Sequence, residues 1–185
     1  MQSWTDERTA VANACRVLAY RGLVSDVLGH VSVRVGEDAV LVRCRGPKER
    51  GLAFTTAEDV HEVGLDGSHD LPDGWSVPNE LPLHLAVIAA SPETRSVVHA
   101  HPPAVVAMTL TGVPLRPIVG AYNIPAMQLA TAGIPVHPSS ALIRTRARAD
   151  AMLASMGHSP VVLLSGHGLT AAGATIQHAV IRALN

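Results

Sequence analysis

The hydrophobic pattern changes period several times along the chain, and each change marks an element. Val11, Cys15 and Leu18 fall at helical spacing and predict an amphipathic helix over 6–21, capped by Ser3 or Thr5 and stopped by Gly22. Alternation then takes over: 31–35 and 39–43, joined by the turn Gly36, Glu37 and Asp38, predict an antiparallel hairpin. A charged loop at 45–51, a short capped turn at 56–59 and a strand over 60–65 follow. Gly, Asp and Pro make 68–78 a loop, after which Asn79 can cap a helix over 80–90 with Pro82 tolerated in its first turn. A short apolar run from Ser96 predicts a strand that Pro102 and Pro103 end, followed by a helix over 104–110. Prolines and glycines break 114–138 into what should be short strands and loops. An exposed helix over 144–156, a buried strand over 161–164 and a helix from Thr175 complete the pattern. That helix reaches Asn185 still in register, so the expectation is a chain either truncated there or covered there by a partner subunit. The alternation implies one layered α/β domain over 1–185, with helices on a mixed sheet.

Composition sharpens this picture and removes some functions. A chain of 185 residues supports one substantial core, and 48% hydrophobic residues with only 3% aromatic mean that Ala, Val and Leu must build it. The net charge of -1, with no basic block, argues against a nucleic-acid or anionic-membrane partner. The N-terminus is polar and no apolar run approaches the ~18 residues of a membrane span, so a soluble, cytoplasmic protein is expected. Cys15 and Cys44 have no CxxC partner and read as core thiols.

The candidate chemistry sits on three of the predicted elements. His99 and His101 occupy alternate positions of a strand, so both imidazoles point to one face at the strand end. Two buried rings there need partners, and a metal ion is one that would satisfy both. Glu80 opens the preceding helix, and His84 lies one helical turn beyond it on the same face. His167 sits between Gly166 and Gly168 directly after an apolar strand. Three neutral imidazoles and a carboxylate suit a divalent first-row metal with a position left for substrate.

Taken together, Glu80, the His99-x-His101 pair and His167 resemble the metal site of the class II aldolase/adducin family, and the resemblance covers nearly the whole chain. It implies a three-layer α/β/α sandwich on a mixed, largely antiparallel sheet. It also implies a homotetramer with active sites between subunits and one divalent metal per subunit held by Glu80, His99, His101 and His167. Zn2+ or Mn2+ is expected, with Co2+ or Fe2+ as further options. In the family's aldolases the Glu stands near the metal at rest and acts as acid or base once substrate binds, a dual role that falls here on Glu80.

Other loops depart from the family's sugar-phosphate enzymes. Their Gly-Asn-x-Ser segment reads Gly29, His30, Val31, Ser32 here. Their Ser-Gly loop becomes Arg45, Gly46, Pro47, and their Ser-Ser pair becomes Pro78, Asn79. Most hydroxyl donors for a phosphate are therefore missing, while Arg45 can grip a carboxylate through a bidentate fork. Lys48 and Arg50 read as solvated loop charges. These loops look like the family's decarboxylase branch, which acts on hydroxylated aromatic dicarboxylates such as dihydroxyphthalate. The expected substrate is a small carboxylate, with Gly29, Ser32, Arg45, Gly46, Asn79, His84 and Tyr122 as candidate contacts. Glu80 and His30 both stand as donors of the proton that replaces the lost CO2. His84 reads equally as a core histidine, Tyr122 and Ser32 equally as structural residues, and His61, His69, His137, His158 and His178 as packing or surface. Two alternatives stay open. One is an aldolase, epimerase or dehydratase of the same family; the other is an adducin-like interaction module, against which the intact histidines speak.

Overall fold

Among the described residues, seven strands form one sheet. The structure is a computed structural model and describes residues 3–120 and 122–185. The strands are β1 (His30–Val35), β2 (Ala39–Arg43), β3 (Val60–Gly64), β4 (Ser96–Ala100), β5 (Val136–His137), β6 (Val161–Leu164) and β7 (Gly168–Gly173). They lie in the order β3-β2-β1-β4-β7-β6-β5, and every pairing is antiparallel except that of β5 with β6. The helices are α1 (Thr5–Tyr20), α2 (Leu81–Ala89), α3 (Pro103–Thr111), α4 (Ile124–Ala132), α5 (Arg146–Met156) and α6 (Ile176–Leu184).

Strand alternation divides the core into two layers of contact. Val31, Val33, Leu41, Val98, Ala100, Leu169 and Ala171 face α1 and α6. The intervening residues Val40, Val42, Val97, Val162, Leu164 and Ala172 face α2 and α5. The result is the expected α/β/α sandwich, built from Val, Leu and Ala on both faces. On β4 the alternation places His99 on the α2 side, opposite Val98 and Ala100. His30 and Ser32 on β1 share that side with it, and His30 pairs with His99 across the two strands. No helix among the described residues is long and apolar enough to cross a membrane.

Several expectations are corrected. The 114–138 segment is not only strands and loops, because α4 lies within it. Asn123 caps that helix by accepting from the Ala126 N–H, and Pro125 sits in the first turn, where a missing N–H costs nothing. β7 was not legible in the sequence, yet it lies between β4 and β6 with every residue buried. α5 is not merely an exposed helix, since Ala149, Met152 and Met156 pack into the α2 layer. Neither Ser3 nor Thr5 caps α1; Trp4 occupies that position in a left-handed conformation with no side-chain bond. Asn79 does not cap α2 either. Glu80 takes the N-cap position, and its carboxylate is committed elsewhere.

Candidate metal centre

One end of the sheet gathers the chemistry. The end of β4 carries His99 and, just past it, His101, whose N–H donates to the Leu23 carbonyl at 3.0 Å. The β6–β7 turn brings His167 alongside. Gly168 makes this approach possible, because a Cβ there would run into the Ala100 carbonyl oxygen and crowd His101. Gly29, at φ 80°, allows β1 to start beneath Val24 and within reach of the His99 carbonyl. Glu80 enters from the N-terminus of α2, and the Ile143 N–H donates to its Oε1 at 2.7 Å.

The donor atoms of Glu80, His99, His101 and His167 all lie within 4.8 Å of one another. His99 Nε2 is 3.3 Å from Glu80 Oε2, and His167 Nε2 is 3.5 Å from the same oxygen. The Nε2 atoms of His99 and His101 are 2.8 Å apart. Donors held about 2.0–2.1 Å from a tetrahedral zinc sit roughly 3.4 Å from each other, so the cluster has the dimensions of a coordination shell. Hydrogen bonding supports the same reading. A carbonyl can only accept, so the 2.9 Å contact of His99 Nδ1 with Leu169 O puts the ring proton on Nδ1 and leaves the Nε2 lone pair facing the cluster. Both ring nitrogens of His167 are buried without a hydrogen-bond partner. Such orphaned atoms are costly unless something absent from the chain engages them, and a divalent cation fits this donor set. Among the described residues this is the one group of metal-competent side chains.

The electrostatics keep two of these ligands, His101 and Glu80, in the form a metal requires. Burial, reinforced by the neighbouring His99 and His167 rings, pushes His101 down to about 3. Burial also acts on the Glu80 carboxyl and raises it, but the His167 and His99 rings facing Oε2 and the Ile143 N–H donating to Oε1 outweigh that effect and hold it well below the usual carboxylate range. A neutral His101 and an ionised Glu80 therefore coexist at pH 7.

The other predicted residues divide into three groups. His30 is at the site: its ring stacks on His99 with centroids 5.1 Å apart. Ser32 and His84 lie below the site, both fully buried and joined by a 2.7 Å bond between Ser32 Oγ and His84 Nδ1. A 2.9 Å bond from His84 Nε2 to His30 Nδ1 continues that chain upward. Arg45 is half-buried at the end of β2, donates to the Val27 carbonyl at 3.2 Å and pairs its backbone with Ser76. Gly46 packs against the Trp75 ring. Asn79 and Tyr122 are exposed, and Tyr122 lies outside the cluster. Lys48 and Arg50 line a separate cavity of about 500 Å³ with Phe54 and Trp75, where Arg43 is already paired with Glu49. Two partners escaped the sequence: the Ile143 N–H and the Leu169 carbonyl. Both are backbone groups, which any residue supplies, so no residue type could signal them.

Comparison with known proteins agrees with this geometry. The profile of the Class II Aldolase and Adducin N-terminal domain matches residues 9–185. The chain belongs to the class II aldolase and adducin family. Within this family it is 56% identical over 182 residues to a 3,4-dihydroxyphthalate decarboxylase of Terrabacter sp. (strain DBF63), covering 97% of this chain and 76% of that protein. It is 44% identical over 180 residues to a 3,4-dihydroxyphthalate decarboxylase of Rhodococcus jostii (strain RHA1), covering 95% and 74%. The aldolase II superfamily protein of Pseudomonas syringae superposes with a TM-score of 0.83 at 23% identity, over all of this chain and 73% of that one, and shows the shared class II aldolase fold.

Proposed function

We propose that the protein is a metal-dependent carbon–carbon lyase that decarboxylates an ortho-hydroxylated aromatic dicarboxylate, 3,4-dihydroxyphthalate or a close analogue. The observation that carries this reading is the 56% identity with a decarboxylase of that substrate across 97% of the chain, joined to the four-donor cluster. In this reading 1–185 acts as one catalytic domain in the cytoplasm, where its two free, buried cysteines are at home. Glu80, His99, His101 and His167 would hold one divalent ion per subunit, Zn2+ or Mn2+ with Co2+ or Fe2+ as further options. When bound, the ion would supply Lewis-acid stabilisation of the negative charge that collects on substrate oxygen as the C–C bond breaks.

The chain's own residues do the rest. Glu80 Oε2, anchored through Oε1 on Ile143, takes the proton of the hydroxyl ortho to the departing carboxylate and delivers it to the ring carbon. The C–CO2 bond then breaks, its electron pair returns to the ring, and the product leaves with the new C–H bond and an ionised hydroxyl. Arg45 holds the second carboxylate; it spends one bond on Val27 and keeps its other N–H groups free among the described residues. His30 contacts the substrate beside the metal. Gly29, Gly46 and Asn79 border the entrance, and Tyr122 completes the site of a neighbouring subunit in a homotetramer.

The test is to incubate metal-loaded protein with 3,4-dihydroxyphthalate and with phthalate, which lacks the hydroxyls, and to follow CO2. Release from the first alone is expected. No release from either, with cleavage of a sugar-phosphate aldol instead, would overturn the proposal.

A further inference from the structure

Three buried polar side chains run in a line from the core to the metal centre: Ser32 Oγ to His84 Nδ1 at 2.7 Å, and His84 Nε2 to His30 Nδ1 at 2.9 Å. Ser32 and His84 have no exposed surface, and His30 has 5%. His30 Nε2, at the far side of its ring, is neither bonded to the chain nor among the sealed, unpaired atoms. The line therefore ends on a single nitrogen that opens into the site next to His99.

Each bond in such a line has one proton, so the line has only two directions. In one, His30 Nδ1–H donates to His84, His84 Nδ1–H donates to Ser32, and His30 Nε2 faces the site as a bare lone pair. The Ser32 hydroxyl proton then has nowhere to go, since Ser32 Oγ has no other partner among the described residues. In the other direction the Ser32 hydroxyl donates to His84 Nδ1, His84 Nε2–H donates to His30 Nδ1, and His30 carries its proton on Nε2. Every proton within the buried part of the line is then used, and the one N–H without a partner in the chain, His30 Nε2–H, is the one that opens into the site. A buried donor without an acceptor is the costlier defect.

We propose that His84, oriented by Ser32, is a positioning residue that locks His30 as a hydrogen-bond donor, its Nε2–H aimed at an anionic oxygen of the substrate. The lock is directional and requires no gain or loss of a proton. It rests on the decarboxylase reading above for what His30 touches, and it gives His30 a different task from Glu80. Glu80 moves the proton, while His30 steadies the oxygen on which charge develops.

Histidine-15N spectra of the zinc-loaded, substrate-free protein test the lock directly. His30 and His84 should both appear as Nε2–H tautomers; a native His30 protonated on Nδ1 overturns the proposal. Two substitutions separate positioning from packing. His84→Phe fills the core but frees His30, so mixed His30 tautomers, unchanged metal content and a kcat lower by roughly 10- to 100-fold are expected, less than the ~10²–10³-fold typical of deleting such a donor outright. His84→Gln fills the core less well, but its amide can accept from Ser32 and donate to His30, so it should restore the tautomer and most of kcat. A core-filling role predicts the reverse order, Phe above Gln, and that order would overturn the proposal. A protein that shows the expected tautomers but releases CO2 from no substrate would overturn the decarboxylase reading and leave the lock standing.

Discussion

The two ring nitrogens of His99 face different surroundings, and the backbone decides which one is left for a ligand. The Leu169 carbonyl accepts from the Nδ1–H, so Nε2 meets Glu80, His101 and His167 as a lone pair. His99→Ala should therefore abolish bound metal as well as turnover, read by metal analysis of the purified protein; an unchanged stoichiometry would refute the ligand set. The buried histidines also imply a pH dependence. His84 and His101 are pushed down to about 3 by burial, whereas in an unfolded chain they titrate near 6.5. Below about pH 6.5 the unfolded state binds more protons, so stability falls as pH drops toward 3 and is fully present above 6.5. Urea unfolding of metal-free protein should show a lower midpoint at pH 5.5 than at pH 7.5, with the difference reduced in His84→Phe. Residue identity made part of this legible. The spacing of His99 and His101 declared a shared face, but nothing in the sequence said that His84, on the same helix face as Glu80, sinks beneath the site instead of lining it.

Elements position these residues through close backbone approach. The β6–β7 turn can press His167 against the end of β4 only because Gly168 has no side chain. Gly168→Ala should cost about 1–3 kcal/mol of stability through overpacking and weaken metal binding by separating His167 from His101; thermal unfolding with and without metal would register both. Elements with strong periodicity, such as α1 and the β1–β2 hairpin, were legible in the chain. β7 was not, because its Gly and Ala residues give little strand propensity, a single Thr does not offset them, and the strand exists by its pairing with β4 and β6. α4 was hidden for another reason. Its Pro125 counts as a breaker in a sequence but as a compatible first-turn residue once Asn123 caps the helix.

At the scale of the whole molecule, an apolar surface lies open among the described residues. Leu110, Val113, Ile118, Val119, Tyr122 and Ile124 are exposed along the stretch that joins α3 to α4, more than isolated surface residues account for. A homotetramer that covers this stretch would have four times the 19.3 kDa chain mass, and light scattering should find it. Ile118→Asp combined with Val119→Asp should yield smaller species with the fold intact by circular dichroism. The central claim, that one cation in the Glu80, His99, His101 and His167 cluster drives loss of CO2, is tested most directly by metal titration. Stripped protein is reloaded stepwise with Zn2+ or Mn2+ while CO2 release from 3,4-dihydroxyphthalate is followed. Release should be absent at zero metal and rise in proportion to added ion, with a plateau at one equivalent per chain. Full release from the stripped protein, or none at any loading, would contradict the account.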